Sequence, residues 1–322
     1  MIECNLRASR SFPFVSKTLN CNFITLATRA MLGGPQPVRP YTISLMDIDY
    51  VAVKAPMFSF TRLRGADPRL GVEMSSTGEV ACFGLDVHDA FMRAMLATGF
   101  KPPDRTRNIL VSICDDAPIR QEFLVPMRLL ITMGYRVLAS PGTAAFYAAR
   151  GIEKIDVVDS AAAGDAIVAK GGKAAKPAKG GKAAKPPPPP AEVDAPASWA
   201  SACVDLIRDG QLDLLINIPG EGSRASSTSV DDSVTDGYLV RRAAVDFGCG
   251  LITNIKCATM YVEALHRQHT GVLPTQPLHI DEFYAAQDQL AIPMDESGGT
   301  SPRPLRGSND GIVKRRRLES MP

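Results

Sequence analysis

The chain has 322 residues, with 45% hydrophobic and 22% charged content, enough to fill the core of one large domain or two ordinary ones. Its 36 lysines and arginines against 34 aspartates and glutamates leave a net charge of +2, which argues against a dedicated nucleic-acid binder. No apolar run reaches the roughly 20 residues of a membrane span, and MIECNLRASR is no signal peptide. The seven cysteines contain no C-x-x-C pair, so the expectation is a reduced cytoplasmic protein without membrane, disulfide or structural zinc.

In chain order, Ile2–Asn5 reads as a strand end and Phe23–Leu32 as an amphipathic helix closed by Gly33-Gly34. Tyr50–Lys54 and Glu79–Phe83 read as strands and His88–Ala97 as a helix, before a break at Thr98–Asn108 rich in Gly, Pro and charge. Strand and helix then alternate: ILVSI, Gln121–Met133, YRVLAS, PGTAAFYAARG and KIDVVDS. An insertion over 161–197 carries AKGGKAAKPAKGGKAAKPPPPP, whose six lysines and proline run offer no apolar face, so disorder is expected. Alternation resumes with Ala200–Asp209 (helix), DLLINIP (strand), Gly237–Phe247 (helix), GLITN (strand) and Cys257–His266 (helix). This pattern predicts an α/β fold, a doubly wound parallel sheet over 108–268, preceded by a different segment over 1–103. The tail, 269–322, reads as largely disordered, and its Lys314–Arg317 as a solvated basic run or a nuclear localisation signal.

Doubly wound sheets bind ligands beyond the carboxyl ends of their strands, here Ser112, Ser140–Thr143, Asn217–Gly222 and Thr253–Asn254. Ala139–Thr143, ASPGT, places two hydroxyls around a glycine at a strand-to-helix junction. It is either a phosphate cradle or an ordinary N-cap. Asn217 ends a neighbouring strand, and Arg242 or Lys256 are candidate cations for a phosphate there. At the N-terminus Glu3, Asn5, Arg7 and Arg10 form E-x-N-x-R-x-x-R. On an extended strand Glu3 and Asn5 share a face, a pair of oxygen donors for Mg²⁺ or simply an exposed polar strand. No hydrolase elbow, Walker A loop or Rossmann glycine fingerprint is present. His88, His266, His269 and His279 lack metal-ligand spacing and read as surface residues.

The blocks IECNLRASRSFPFVSKTL, YVAVKAPMFSFTRLRGADPRLGVEMSSTGEVACFG and AFMRAMLATGFKPP resemble the C-terminal part of the carbamoyl-phosphate synthetase large subunit. MGYRVLASPGTAAFY, LIRDGQLDLLINIPG, DGYLVRRAAVDFG and LITNIKCATMYVEAL resemble its C-terminal allosteric domain, which shares its fold with methylglyoxal synthase. The resemblance implies that 1–103 ends the second, carbamate-phosphorylating ATP-grasp domain. Glu3 and Asn5 would then be Mg²⁺ or Mn²⁺ ligands, with Arg10 and Arg7 facing the phosphoryl groups of ATP. It implies a fragment, inactive alone, whose partners are the missing ATP-grasp portion and a glutamine amidotransferase subunit or domain. It also implies that Ser140, Thr143 and Asn217 bind a phosphorylated effector, a uridine nucleotide or phosphoribosyl pyrophosphate. The function expected is regulated carbamoyl phosphate synthesis for pyrimidines, the alternative being a free-standing phosphometabolite sensor. Methylglyoxal synthase chemistry is not expected, because IPGEG stands where that enzyme's Gly-Gly-Asp segment falls.

Overall fold

The computed structural model describes residues 9, 11–33, 48–63, 65–70, 75–158, 199–220, 235–273 and 279–288. The described residues up to 273 belong to one compact unit and 279–288 to a second. The strand expected at Ile2–Asn5 and the 161–197 insertion lie outside the described residues.

The first unit centres on β3 (Asn108–Ile113), a run so apolar that every residue is buried, as a strand covered on both faces must be. It pairs in parallel with β4 (Arg136–Ala139) on one side and β6 (Leu212–Ile218) on the other. The edges are β5 (Asp156–Val157) and β7 (Gly250–Ile252), giving the order β5-β4-β3-β6-β7, all parallel. This is the expected doubly wound α/β sheet.

Side chains alternate across it. Ile109, Val111 and Ile113 face one layer, with Phe123, Met127, Leu130, Tyr147, Tyr261 and Leu265, while Leu110 faces the other, with Cys203, Leu206, Val240 and Ala244. One irregularity interrupts the alternation in β6. Asn108 pairs with Leu212 but Ile109 with Leu214, so Asp213 is an extra residue, and Leu212 and Leu214 face opposite layers.

The helices are α4 (Ala117–Glu122), α5 (Leu124–Thr132), α6 (Pro141–Ala148), α7 (Trp199–Arg208), α8 (Asp236–Phe247) and α9 (Ile255–His269). The single helix expected over Gln121–Met133 is two. It starts earlier because Asp116 accepts from the Ile119 N–H, and it breaks at Phe123. Pro126 explains the break, having no N–H for the Glu122 carbonyl and a ring that crowds it. Among the described residues of KIDVVDS, the two-residue β5 is the part that forms a strand, pairing with the last two residues of β4.

Upstream, β1 (Val51–Met57) and β2 (Gly78–Gly84) form an antiparallel pair on which α3 (Val87–Ala97) packs. The same helix lies on α9, where His88 Nε2 meets Glu263 at 3.0 Å and Arg267 donates to Asp86 at 2.9 Å. His88 is therefore an interhelix tie and not a surface residue. Met92 is 2% exposed and belongs to the same core as β3, so the hydrophobic core continues across residue 103. Helix α1 (Ser11–Thr18), unforeseen from sequence, precedes α2 (Phe23–Leu32), which Asn22 caps. In the second unit α10 (Ile280–Asp288) is helical within the segment read as tail.

Candidate functional site

Strand order reverses between β3 and β6, and sheets of this kind bind ligands beyond the carboxyl ends of the strands at such a point. Ser112 and Asn217 are register partners in that pair, both buried. Next to them β4 ends at Ala139 and the chain turns through Ser140 into α6.

At this turn Pro141 has no N–H, and those of Gly142 and Thr143 have no acceptor among the described residues. Ser140 occupies the N-cap position without capping. Its Oγ donates instead to Thr143 Oγ1 at 3.0 Å, so the plain N-cap reading is not realised. Thr143 Oγ1 also accepts from the Ile113 N–H at 3.0 Å and donates to the Ile113 carbonyl at 3.3 Å. One proton and two lone pairs are then all used, and the residue is fully buried. The Thr143 hydroxyl thus staples α6 to β3 and has nothing left for a ligand. What Thr143 leaves unpaired among the described residues is its backbone N–H, beside that of Gly142. Two unpaired amides at the positive end of a helix dipole suit an anion.

The cation at this turn is Arg120, which the sequence reading missed. It is 9% exposed, and its Nη2 donates to the Ile113 carbonyl at 3.1 Å. A Cβ placed on Gly142 would stand 3.4 Å from the same Nη2, so the guanidinium lies against the start of α6. Nη1 donates at 2.7 Å to Asp115, whose side chain is 96% exposed, while Nε is buried without a partner. Tyr147 fixes the Arg120 backbone by donating to its carbonyl at 2.8 Å. The available signal was DDAPIR, which follows β3 on the same sheet edge.

The two cations proposed from sequence are engaged elsewhere. Arg242 donates to the carbonyls of Phe60, Leu63 and Ala66 and pairs with Asp246. Lys256 is highly exposed and meets Glu122 at 2.7 Å. Asn254 caps α9 by accepting from the Cys257 N–H.

Asn217 is held by Arg241 of α8, whose Nη1 donates to Oδ1 at 2.8 Å. A guanidinium only donates, so the atom facing it must be the oxygen, and Nδ2 is the group left for a ligand. The side chain therefore has its Nδ2–H to offer a ligand. After β6 the Gly220 carbonyl accepts from Arg69 at 3.0 Å, while Glu221 and Gly222 lie outside the described residues.

Among the described residues, nothing at this edge is poised as a nucleophile. Burial, followed by the Asp116 carboxylate, pushes the Cys114 thiol above its ordinary value of 9.0, so it stays neutral. The arrangement can hold an anion at the α6 end and a hydrogen-bond acceptor at Asn217. Glu3, Asn5, Arg7 and Arg10 lie outside the described residues, and the metal and ATP site expected of them has no geometry here.

Residues 122–253 match the MGS-like domain family. Among curated proteins the chain is 39% identical over 272 residues to the multifunctional protein URA2 of Saccharomyces cerevisiae, which covers 84% of this chain and 10% of that protein. It is 40% identical over 284 residues to the multifunctional protein CAD of Squalus acanthias, covering 88% and 11% respectively. It is 38% identical over 280 residues to the mitochondrial carbamoyl-phosphate synthase (ammonia) of Mus musculus, covering 84% and 15%. The chain thus spans between a tenth and a sixth of the length of these relatives.

Proposed function

From the homology of this chain to part of the carbamoyl-phosphate synthases, MGS-like domain included, we propose that it is the effector-binding region of a glutamine-dependent enzyme of that family, serving pyrimidine synthesis. The observation that carries the reading is the buried Arg120, with its unpartnered Nε, beside two free amides at the α6 N-terminus. A phosphate there receives the N–H groups of Gly142 and Thr143, the Ser140 hydroxyl, which gives up Thr143 Oγ1, and the Arg120 guanidinium, which gives up Asp115. An acceptor elsewhere on the ligand, such as a uracil carbonyl or ribose hydroxyl, takes the Asn217 Nδ2–H. A uridine nucleotide or phosphoribosyl pyrophosphate satisfies both ends.

On this reading the chain regulates and does not carry out phosphoryl transfer by itself, a step that needs several charges positioned together. In the complete enzyme Glu3 and Asn5 would hold Mg²⁺ or Mn²⁺, with Arg7 and Arg10 toward ATP, and a glutamine amidotransferase would supply ammonia.

Calorimetric titration of the 322-residue chain with uridine 5′-monophosphate and phosphoribosyl pyrophosphate tests the effector site. Arg120→Met should weaken binding roughly ten- to a hundredfold, the worth of a hydrogen bond to a charged group. Ser140→Ala should weaken it less. Unchanged affinity in both variants puts the phosphate elsewhere, and no binding of either compound by the wild type removes the effector role.

A further inference from the structure

Arg241 is 3% exposed and has two sets of partners. Toward the sheet its Nη1 holds Asn217 Oδ1. Away from it, Nε and Nη2 donate to the two oxygens of Asp67 at 2.8 and 2.5 Å. Asp67 belongs to the stretch between β1 and β2, upstream of the parallel sheet and 174 residues from Arg241. The guanidinium is planar and rigid, so a bidentate grip at one edge fixes the direction of the donor at the other. Space for this is made by Gly237, one helical turn earlier: a Cβ there would stand 3.0 Å from Nη1.

The same stretch is tied to the same helix twice more. Tyr238 donates to the Gly65 carbonyl at 2.8 Å, and Arg242 to the carbonyls already described. These ties anchor the stretch. Of the three side chains, Arg241 is the one that reaches through to a residue of the ligand edge.

We infer that Arg241 is a coupling residue, joining occupation of Asn217 to anchorage of residues 65–70. A ligand acceptor on Nδ2 holds the Asn217 amide still, which fixes Arg241 and tightens its grip on Asp67. By thermodynamic reciprocity, a well-anchored Asp67 strengthens ligand binding by the same factor. The upstream segment therefore senses the ligand edge without touching the ligand. What occupies Asn217 rests on the effector reading above, whereas the tie itself does not.

Hydrogen exchange on the full chain separates the two. Without ligand, Asn217→Ala should speed exchange at residues 65–70 about fivefold or more and leave β4 unchanged. Asp67→Asn should do the same, and the double variant should be no faster than the faster single one. Asn217→Ser takes the place of the alanine variant if that one does not fold. Exchange at 65–70 that stays at the wild-type rate, or effects that add, overturns the coupling. With ligand, uridine 5′-monophosphate should slow exchange at 65–70 in the wild type, and Asp67→Asn should bind it about fivefold less tightly. Equal affinity in Asp67→Asn also overturns the coupling. Failure of the wild type to bind either compound overturns the effector reading, and the ligand-free comparison then decides the tie by itself.

Discussion

His269 joins the end of α9 to the stretch before β3 through both ring nitrogens. Arg105 donates to Nδ1, so the ring proton is on Nε2, which stands 2.8 Å from the Tyr135 hydroxyl. Tyr135 in turn donates to the Pro103 carbonyl at 3.3 Å. The arrangement requires a neutral imidazole, and burial, then Arg105 and His266, hold its pKa below the ordinary 6.5. The unfolded chain therefore binds this proton first. No penalty exists above about pH 6.5; it grows as pH falls through that value and is complete below the folded pKa. Thermal melting should thus fall between pH 7 and 5, and His269→Gln should flatten part of that slope. An identical slope in the variant would exclude His269 as the cause. Asp115 gives a second prediction. It is an exposed carboxylate on Arg120, which on the proposed effector reading a phosphate would displace, so Asp115→Asn should tighten phosphate-ligand binding several-fold in the same titration. Weaker binding would mean that Asp115 orients Arg120 for the ligand.

The Thr143 staple decides how two elements meet. It receives the Ile113 N–H, so Thr143→Val, equal in size, leaves a buried donor unpaired and should cost about 1–3 kcal/mol by urea unfolding. A loss below about 0.5 kcal/mol would mean that the amide finds another acceptor. The strands at this junction were legible in the sequence because β3 and β6 are short apolar runs covered on both faces. So was the ASPGT turn. The roles of its two hydroxyls were not, since they depend on which atom lies opposite across the sheet edge. β5 was over-read for a similar reason, because the length of an edge strand is set by how far its neighbour pairs with it, here two residues. Pro126 was visible, and its effect on the helix could have been read from the missing N–H alone.

For the whole molecule, the Gly- and Pro-rich stretch at Thr98–Asn108 marks a change of pattern, yet the core runs through it. Met92 is buried among the β3-side residues, and Phe100 packs edge-on to Tyr261 with ring centroids 5.1 Å apart. A chain beginning at residue 104 should lose more than about 3 kcal/mol by urea unfolding, the worth of these two side chains plus the α3–α9 ties. Undiminished stability would make the upstream layer a passenger. Composition marks where a pattern changes, but it cannot show which buried side chains cross the break. The Asp67–Arg241 pair was hidden for the same reason, its members being 174 residues apart with no motif joining them.

The extra residue in β6 sets the phase of everything after it. Were the strand regular from Leu212 onward, Leu214 and Ile216 would share the face of Leu212. Leu215 and Asn217 would then point the other way, toward the α5–α9 layer. Inserting Asp213 turns the strand by half a period, and Leu215 instead packs in the layer of α7 and α8. That half-period brings Asn217 to Arg241, and Asp213 itself accepts from the Asp104 N–H at 2.9 Å. A single inserted carboxylate therefore acts as a phase shifter: it holds the approach to β3 at one end and aims the ligand-edge amide at the other.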